Sequence, residues 1–278
     1  HGQCPICDSA HLEYEFVIEE VPVCSCQDCG LLFLSPQPES GPVRERAPAM
    51  ESNALTGIYA ANAAERMREL VAYSGRQGGR LLLLGAGPHL CAEARRIGFQ
   101  VYAFSAREFE SLPATELPVG VQACVLFCAL ERMRDPLAGL QAAHNLLEAG
   151  GCLMVISPTT DSRAARLLRT SWWEFNRTNL YYFSVDTLQS LLIKAGFGDP
   201  IIAPDRSLAS LNYLRERLAA TPHTLRRFQW LRSAMSLSPM FRNKTFRFLH
   251  GRTLFLVRSN VYPPQPRLSV IVPVYNES

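Results

Sequence analysis

Residues 80–105, RLLLLGAGPHLCAEARRIGFQVYAFS, leave this chain few folds to choose from. Leu81, Leu82, Leu83 and Leu84 form an unbroken apolar run, the pattern of a strand buried on both faces of a parallel sheet. Gly85-Ala86-Gly87 comes next as a tight turn where backbone can approach a ligand closely. Pro88 suits the first turn of a helix, because its missing N–H would be unpaired there anyway. Leu90, Ala94 and Ile97 set that helix against the sheet, and Gly98 stops it. Residues 100–104 make the next strand. This order predicts the opening unit of a nucleotide-binding α/β domain, with its ligand at the carboxyl ends of the strands. A glycine pair after a strand also serves as a plain turn, so the order of the later elements has to decide.

Residues 121–130, VQACVLFCAL, read as another buried strand. Glu131 to Pro136 then leads into a helix that runs to Leu147. A turn is expected at 148–151, and residues 152–156 make a strand that ends at Ser157-Pro158. GAG after one apolar strand, LERMRDP after a second, and LLEAGGCLMVISP together resemble the class I S-adenosylmethionine (SAM)-dependent methyltransferases, and most closely those with an N-terminal zinc ribbon. The resemblance covers about residues 4–258. It implies an α/β, Rossmann-like sheet, SAM as cofactor, and Gly85, Ala86, Gly87, Ser105, Cys128 and Leu130 as the residues that line it.

Four departures from the family pattern fall on the same surface. His89, after Pro88, stands where the third glycine is usual. Ser105 stands at the end of the second strand, where a carboxylate usually binds two ribose hydroxyls. About sixteen residues separate Ser105 from Val121, where the family usually fits a helix and a third strand. Arg132 replaces the histidine of the family's LEH. The sheet is therefore expected to be shortened and degenerate. Losing one bidentate carboxylate contact alone costs on the order of 1–3 kcal/mol. Two functions stay open: a methyltransferase acting on a sugar or glycan intermediate, or a catalytically inactive methyltransferase-like scaffold. His89, His144, Glu174 and Tyr181 are the candidate general bases; His144, in the helix before the glycine turn, also reads as structural.

Cys4-Pro-Ile-Cys7 and Cys26-Gln-Asp-Cys29 are two CxxC knuckles with eighteen residues between them. Four thiolates at this spacing suit tetrahedral zinc, and four cysteine ligands leave no open position, so the zinc is structural. Strand-like residues 12–23 between the knuckles make this a zinc ribbon. Asp28 and Gly30 fit the turn that bends backbone N–H groups toward the sulfurs. Cys24 is left out because Cys26 completes the CxxC pair. A disulfide framework is the alternative. The remaining cysteines are expected as reduced thiols of a cytoplasmic protein.

The domains expected are a ribbon at 1–35, a linker with a leading helix at 36–79, and the methyltransferase-like domain at 80–258. A helix is expected over 54–73. In the domain, a helix carrying Arg163, Arg166 and Arg169 precedes WWEFNRTNLYYF at 172–183. The family places a similar segment, ending in YYFS, over the active-site mouth. Trp172 and Phe183 read equally well as core, whereas Glu174, Asn176, Asn179 and Tyr181 are hard to explain that way. Ser184 is a good N-cap for a helix with Leu188, Leu191, Leu192 and Ala195 on one face. A short strand at 201–203 is followed by a helical insertion at about 204–250, with Leu208, Leu211, Leu214 and Leu218, then Leu225, Phe228, Leu231 and Met235, at helical spacing.

Charge is uneven. Residues 206–258 hold eleven Arg or Lys against one acid, Glu216, inside a chain of net charge +3, so the remainder is about −7. This basic stretch reads as a solvated face, a cap on the substrate site, or a peripheral contact with a partner or membrane surface. Nucleic acid is not an expected partner: the ribbon offers only His1 and His11 as cations among several acids. A proline linker at 259–267 precedes LSVIVPVYNES at 268–278. That string resembles the first strand of family 2 glycosyltransferases with a GT-A fold. It implies a fragment whose parent protein carries a fused glycosyltransferase domain, the expected partner of the inactive-scaffold alternative.

Overall fold

The computed structural model describes residues 2–37, 53–210 and 245–259. The first hairpin joins β1 (Leu12–Ile18) to β2 (Val21–Cys26), and β3 (Leu32–Leu34) adds to β2, all antiparallel. Helix α1 (Asn53–Ser74) leads into β4 (Gly79–Leu84), α2 (Pro88–Arg96) and β5 (Phe99–Phe104), in the expected order. A short helix, α3 (Ala106–Ser111), precedes β6 (Val121–Phe127), α4 (Pro136–Leu146) and β7 (Leu147–Pro158). Then come α5 (Arg163–Leu168), the two-residue β8 (Tyr181–Tyr182), α6 (Val185–Lys194), β9 (Ile201–Ser210) and β10 (Thr245–Arg258).

The central sheet has the order β5-β4-β6-β7-β10-β9. The first four strands are parallel; β10 is antiparallel to both its neighbours. Alternation along β4 explains why its apolar run is unbroken. Leu82 and Leu84 pack with Leu126, Val155, Phe255 and the helix residues Leu140 and Leu188. Leu81 and Leu83 face the other way, onto Met67 and Leu70 of α1 and Ala94 of α2. All four leucines are fully buried. Among the described residues no strand lies between α3 and β6, and β6 pairs directly with β4. The shortening read from the 105–121 spacing is therefore a lost strand at that point.

Two expectations need correction. The turn at 148–151 is absorbed into β7, whose register against β6 shifts between Val121 and Ala123 as Gly150 takes φ +73°. The helical insertion does not begin at 204: residues 201–210 are one strand, and β10 pairs with it from Thr245↔Ser210 onward. Asp205 and Ser207 make this stretch look like a loop, but both are buried because Arg66 of α1 donates to each. Asn62 adds a clamp, its amide donating to the Leu208 carbonyl and accepting from the Leu208 N–H. Residues 211–244, including Leu211 to Met235, and residues 260–278, including the glycosyltransferase-like string, lie outside the described residues, as does most of the 36–52 linker.

The N-terminal hairpins belong to the same body as the sheet. β3 pairs with β8, Leu32↔Tyr182 and Phe33↔Tyr181, giving a second sheet of order β1-β2-β3-β8. Thr187 of α6 donates to the Cys29 carbonyl at 3.0 Å, and Lys194 donates to the Ile6 carbonyl at 2.7 Å. Among the described residues no helix is long and apolar enough to cross a membrane.

Candidate active site at the strand carboxyl ends

The Gly85 N–H donates to the Phe104 carbonyl, turning the chain off β4 with φ +70°. A Cβ at Gly85 would stand 2.5 Å from the Phe127 carbonyl oxygen, so only glycine fits. Gly87 differs. It is the N-cap of α2 with φ −76°, and a Cβ there would meet nothing within 4 Å. The loop thus leaves open space beside Gly87, at the N-terminus of α2, the setting in which backbone receives a ligand. His89 is partly buried and stacks on Tyr59 of α1, ring centroids 5.8 Å apart.

Ser105 is the N-cap of α3. Its hydroxyl accepts from the Glu108 N–H, and its own N–H donates to the Glu108 carboxylate at 2.7 Å. That backbone hydrogen bond, with the Ser105 hydroxyl, holds the Glu108 carboxyl below the ordinary range. A carboxylate therefore does stand at the end of β5, supplied by the first turn of α3 rather than by residue 105.

The ends of β6, β7 and β10 carry a buried polar cluster. Cys128 turns the chain with φ +46°, its N–H donating to the Ile156 carbonyl at 2.8 Å, and burial pushes its thiol up to about 11. Its charged neighbours are Arg252, Glu131, Glu174 and Arg132. Leu130 and Glu131 form a short 3₁₀ turn, each 1% exposed. Ser157 donates its hydroxyl to one Glu131 oxygen; the other, Oε2, is buried with no partner among the described residues. Burial pushes the Glu131 carboxyl up to about 7, against the Ser157 hydrogen bond and with Glu174 adding to the rise. Glu174 pairs with Arg252 at 3.3 Å, and the guanidinium groups of Arg66 and Arg252 lie 4.8 and 5.3 Å from the Phe127 ring centroid.

The sequence candidates therefore separate. Gly85, Ala86 and Gly87 sit at one strand end, with Ser105, Cys128 and Leu130 at neighbouring ones. Glu174 joins the cluster, but held by Arg252. Tyr181 is buried in β8, its hydroxyl donating to the Arg134 carbonyl at 2.7 Å, and burial pushes its pKa up. That makes it a fastener of the segment rather than a base. His144 is not brought to the site. It lies in the last turn of α4, just before β7 begins and so at the other end of the strands, its ring edge-on to Phe197 at 4.9 Å and against Gly196. Sequence reasoning does not single out Glu131, Glu108, Arg66 or Arg252. Only Glu131 carries a readable signal, a carboxylate between a buried strand and a helix-starting proline.

The four expected metal ligands do converge. The sulfurs of Cys4, Cys7, Cys26 and Cys29 all lie within 4.8 Å of one another. Cys4 to Cys29 is 3.6 Å and Cys7 to Cys26 is 3.5 Å, too far for disulfides at about 2.05 Å and close to the edges of a thiolate tetrahedron. The residue after each knuckle takes positive φ, Asp8 at +61° and Gly30 at +72°, and donates its N–H back to Cys4 and Cys26. Burial opposes the Cys26 thiolate, but the backbone N–H groups of Cys29 and Asp28 bring that thiol down to about 7. The Asp28 side chain is spent elsewhere, on His11 at 3.3 Å. Cys24 stands outside the cluster, paired across the sheet with Tyr14 and Phe33.

A family model described as a methyltransferase domain matches residues 59–199, about half the chain and the part that builds this site. The chain belongs to that family. It is a methyltransferase domain, and its sheet has the α/β, Rossmann-like order expected. No curated protein matches it. Among solved structures, a SAM-dependent methyltransferase from Thermotoga maritima is 16% identical over 74% of this chain and 92% of that one, with a TM-score of 0.42. The cyclopropane synthase MmaA2 from Mycobacterium tuberculosis is 13% identical over 69% and 84%, at 0.41. A phosphoethanolamine N-methyltransferase 2 from Haemonchus contortus, crystallised with SAM, is 13% identical over 74% and 57%, at 0.42.

Proposed function

We propose that this domain transfers a methyl group from SAM to a hydroxyl of a sugar or glycan intermediate, with Glu131 as general base. The observation that carries this reading is the Glu131 carboxyl, buried behind the strand ends with one oxygen unpartnered and its pKa raised to about 7. A carboxylate with that pKa takes a proton more readily than an ordinary glutamate near neutral pH, as a base aimed at a hydroxyl requires. Gly87 leaves room for the amino-acid end of the cofactor, and the Glu108 carboxylate stands where ribose hydroxyls need an acceptor. Bound there, SAM supplies a methyl group on a positively charged sulfur that leaves as a neutral thioether. Glu131 takes the hydroxyl proton, and Ser157 and Arg252 fix the neighbouring charges. Much of the rate comes from proximity and orientation. The sugar acceptor and a fused glycosyltransferase partner rest on the resemblance of residues 268–278. The four-cysteine cluster is read as a structural zinc site, because its donor set and sulfur spacing fit that ion.

Calorimetric titration with SAM and S-adenosylhomocysteine tests the donor half: micromolar affinity is expected. Glu131→Gln should then lower methyl transfer to glycosides about a hundredfold or more while leaving donor affinity within about twofold. The inactive-scaffold reading draws on one observation, the Ser105 hydroxyl committed to its helix cap. No donor binding by the folded chain would select it.

A further inference from the structure

Among the described residues the two sheets end in β1, β8, β5 and β9, and three of these edges are protected. β1 carries Glu13 and Glu15, and its pairing shifts register between Tyr14 and Phe16. β8 is only two residues long. β9 carries Pro204, Asp205 and Arg206, and Arg66 and Asn62 of α1 clamp it. Charges, prolines, irregular pairing and short length are the devices that keep an exposed edge from pairing with another chain.

β5 has none of them. Its sequence FQVYAF contains no charge and no proline, and it pairs with β4 without a shift from Phe99 to Phe104. Among the described residues nothing between α3 and β6 adds a strand beyond it. Every second N–H and C=O of β5 therefore points away from β4, along an open side. Val101, Tyr102 and Phe104 are only half-buried, and Gln100 and Ala103 are exposed.

The chemistry of this edge selects its occupant. A charged strand set against Val101 and Tyr102 would lose water without gaining a partner. β5 itself fits. A twofold axis normal to the sheet, passing by Val101 or Tyr102, pairs β5 with its own copy antiparallel. Apolar residues then face apolar residues, and Gln100 alone stands opposite an aromatic side chain, Tyr102 or Phe104. The same axis sets α2, which packs on β5, beside the α2 of the other copy and reverses it. Glu93 of one copy then comes toward Arg96 of the other. Within one copy these two pair at 2.7 Å, with the Arg96 side chain 70% exposed and within reach of both. We propose that β5 is the seam of a twofold dimer, in which two six-stranded sheets run on into one. Both far edges of the joined sheet are then β9, which is protected, so assembly stops at two. None of this rests on the methyltransferase reading.

The test is sedimentation of the full chain from about 1 to about 100 µM, with amide exchange followed at both ends of that range. A monomer–dimer equilibrium is expected, with amides between Gln100 and Phe104 exchanging about tenfold more slowly in the dimer. Gln100→Lys with Ala103→Lys, at two exposed positions, should weaken association about tenfold or more and keep the parent chain's circular dichroism. Arg96→Glu should weaken it as well, and Glu93→Arg added to Arg96→Glu should restore it, because the reversed pair still matches across the twofold. A monomer at every concentration overturns the seam. So does a dimer whose exchange at residues 100–104 does not depend on concentration, or one indifferent to the two lysines. Growth beyond two copies would also overturn it, since only one edge of each sheet is open.

Discussion

Two glycines in one turn do different work, and the difference can be measured. Gly85→Ala forces a Cβ against the Phe127 carbonyl in a left-handed backbone, so it should destabilise the fold by about 2 kcal/mol or more. Gly87→Ala enters open space at an ordinary φ and should change stability by less than about 1 kcal/mol. If the donor lies beside Gly87, that variant should nevertheless lose about tenfold or more in S-adenosylhomocysteine affinity. An unchanged affinity would move the donor away from the loop. Glu131 makes a second prediction. Its carboxyl titrates higher in the folded chain, about 7, than an unfolded glutamate at about 4.3. The folded state therefore holds the proton more tightly. Its stabilising effect is complete below the unfolded value and lost as pH rises through about 7, a swing on the order of 3 kcal/mol. Between pH 5 and pH 8 the melting temperature should fall more steeply for the parent chain than for Glu131→Gln; parallel curves would mean the carboxyl is not shifted. Methyl transfer should rise over the same interval, as the base ionises. At this scale the glycine loop and the four cysteines are legible in the sequence, because each is a local motif. Glu131 is not legible as a base, because its burial depends on Leu180, whose N–H donates to the Glu131 carbonyl at 2.6 Å from a distant part of the chain.

Elements with one repeating environment are the readable ones. β4 and β6 are buried on both faces and read as apolar runs, and the caps Ser184 and Asp135 mark α6 and α4. β9 reads too short in the sequence because Asp205, Arg206 and Ser207 have no place in a buried strand until Arg66, 139 residues earlier, is set against Asp205. β8 is hidden for a related reason: two residues make a strand only when β3 supplies the other edge. That pairing ties the cysteine cluster to the wall of the active site. The Cys26 N–H donates to the Leu31 carbonyl, β3 comes at once after it, and the Leu34 N–H donates to the Leu180 carbonyl beside β8. Cys26→Ser should therefore abolish bound zinc, measured by elemental analysis, and speed amide exchange at Tyr181 and Tyr182 by about tenfold or more. Zinc retained at full occupancy would make Cys24 the ligand. Zinc lost with exchange in β8 unchanged would mean the ribbon does not support that wall.

Taken whole, the chain couples a hairpin pair carrying the four-cysteine cluster to a sheet through one continuous core. Cys4, Val23, Leu31 and Phe33 from the hairpins share a cluster with Tyr181, Phe183 and Leu188, and through them with Leu84, Leu126 and Phe255 of the central sheet. A segment as short as the ribbon cannot bury enough apolar surface to fold alone without its metal or a neighbour. Here the neighbour donates to its knuckles directly, Thr187 to the Cys29 carbonyl and Lys194 to the Ile6 carbonyl. Hairpins and sheet should then melt together. Scanning calorimetry of the zinc-loaded chain should show one transition, and removing zinc with a chelator should move that whole transition down rather than split off a small early one. At this size each kcal/mol lost shifts the midpoint by about 2–4 °C, so even modest coupling is visible. Two resolved transitions, with only the smaller sensitive to chelation, would show that the β3–β8 seam opens independently. The ribbon would then be an appended module rather than part of the active-site wall.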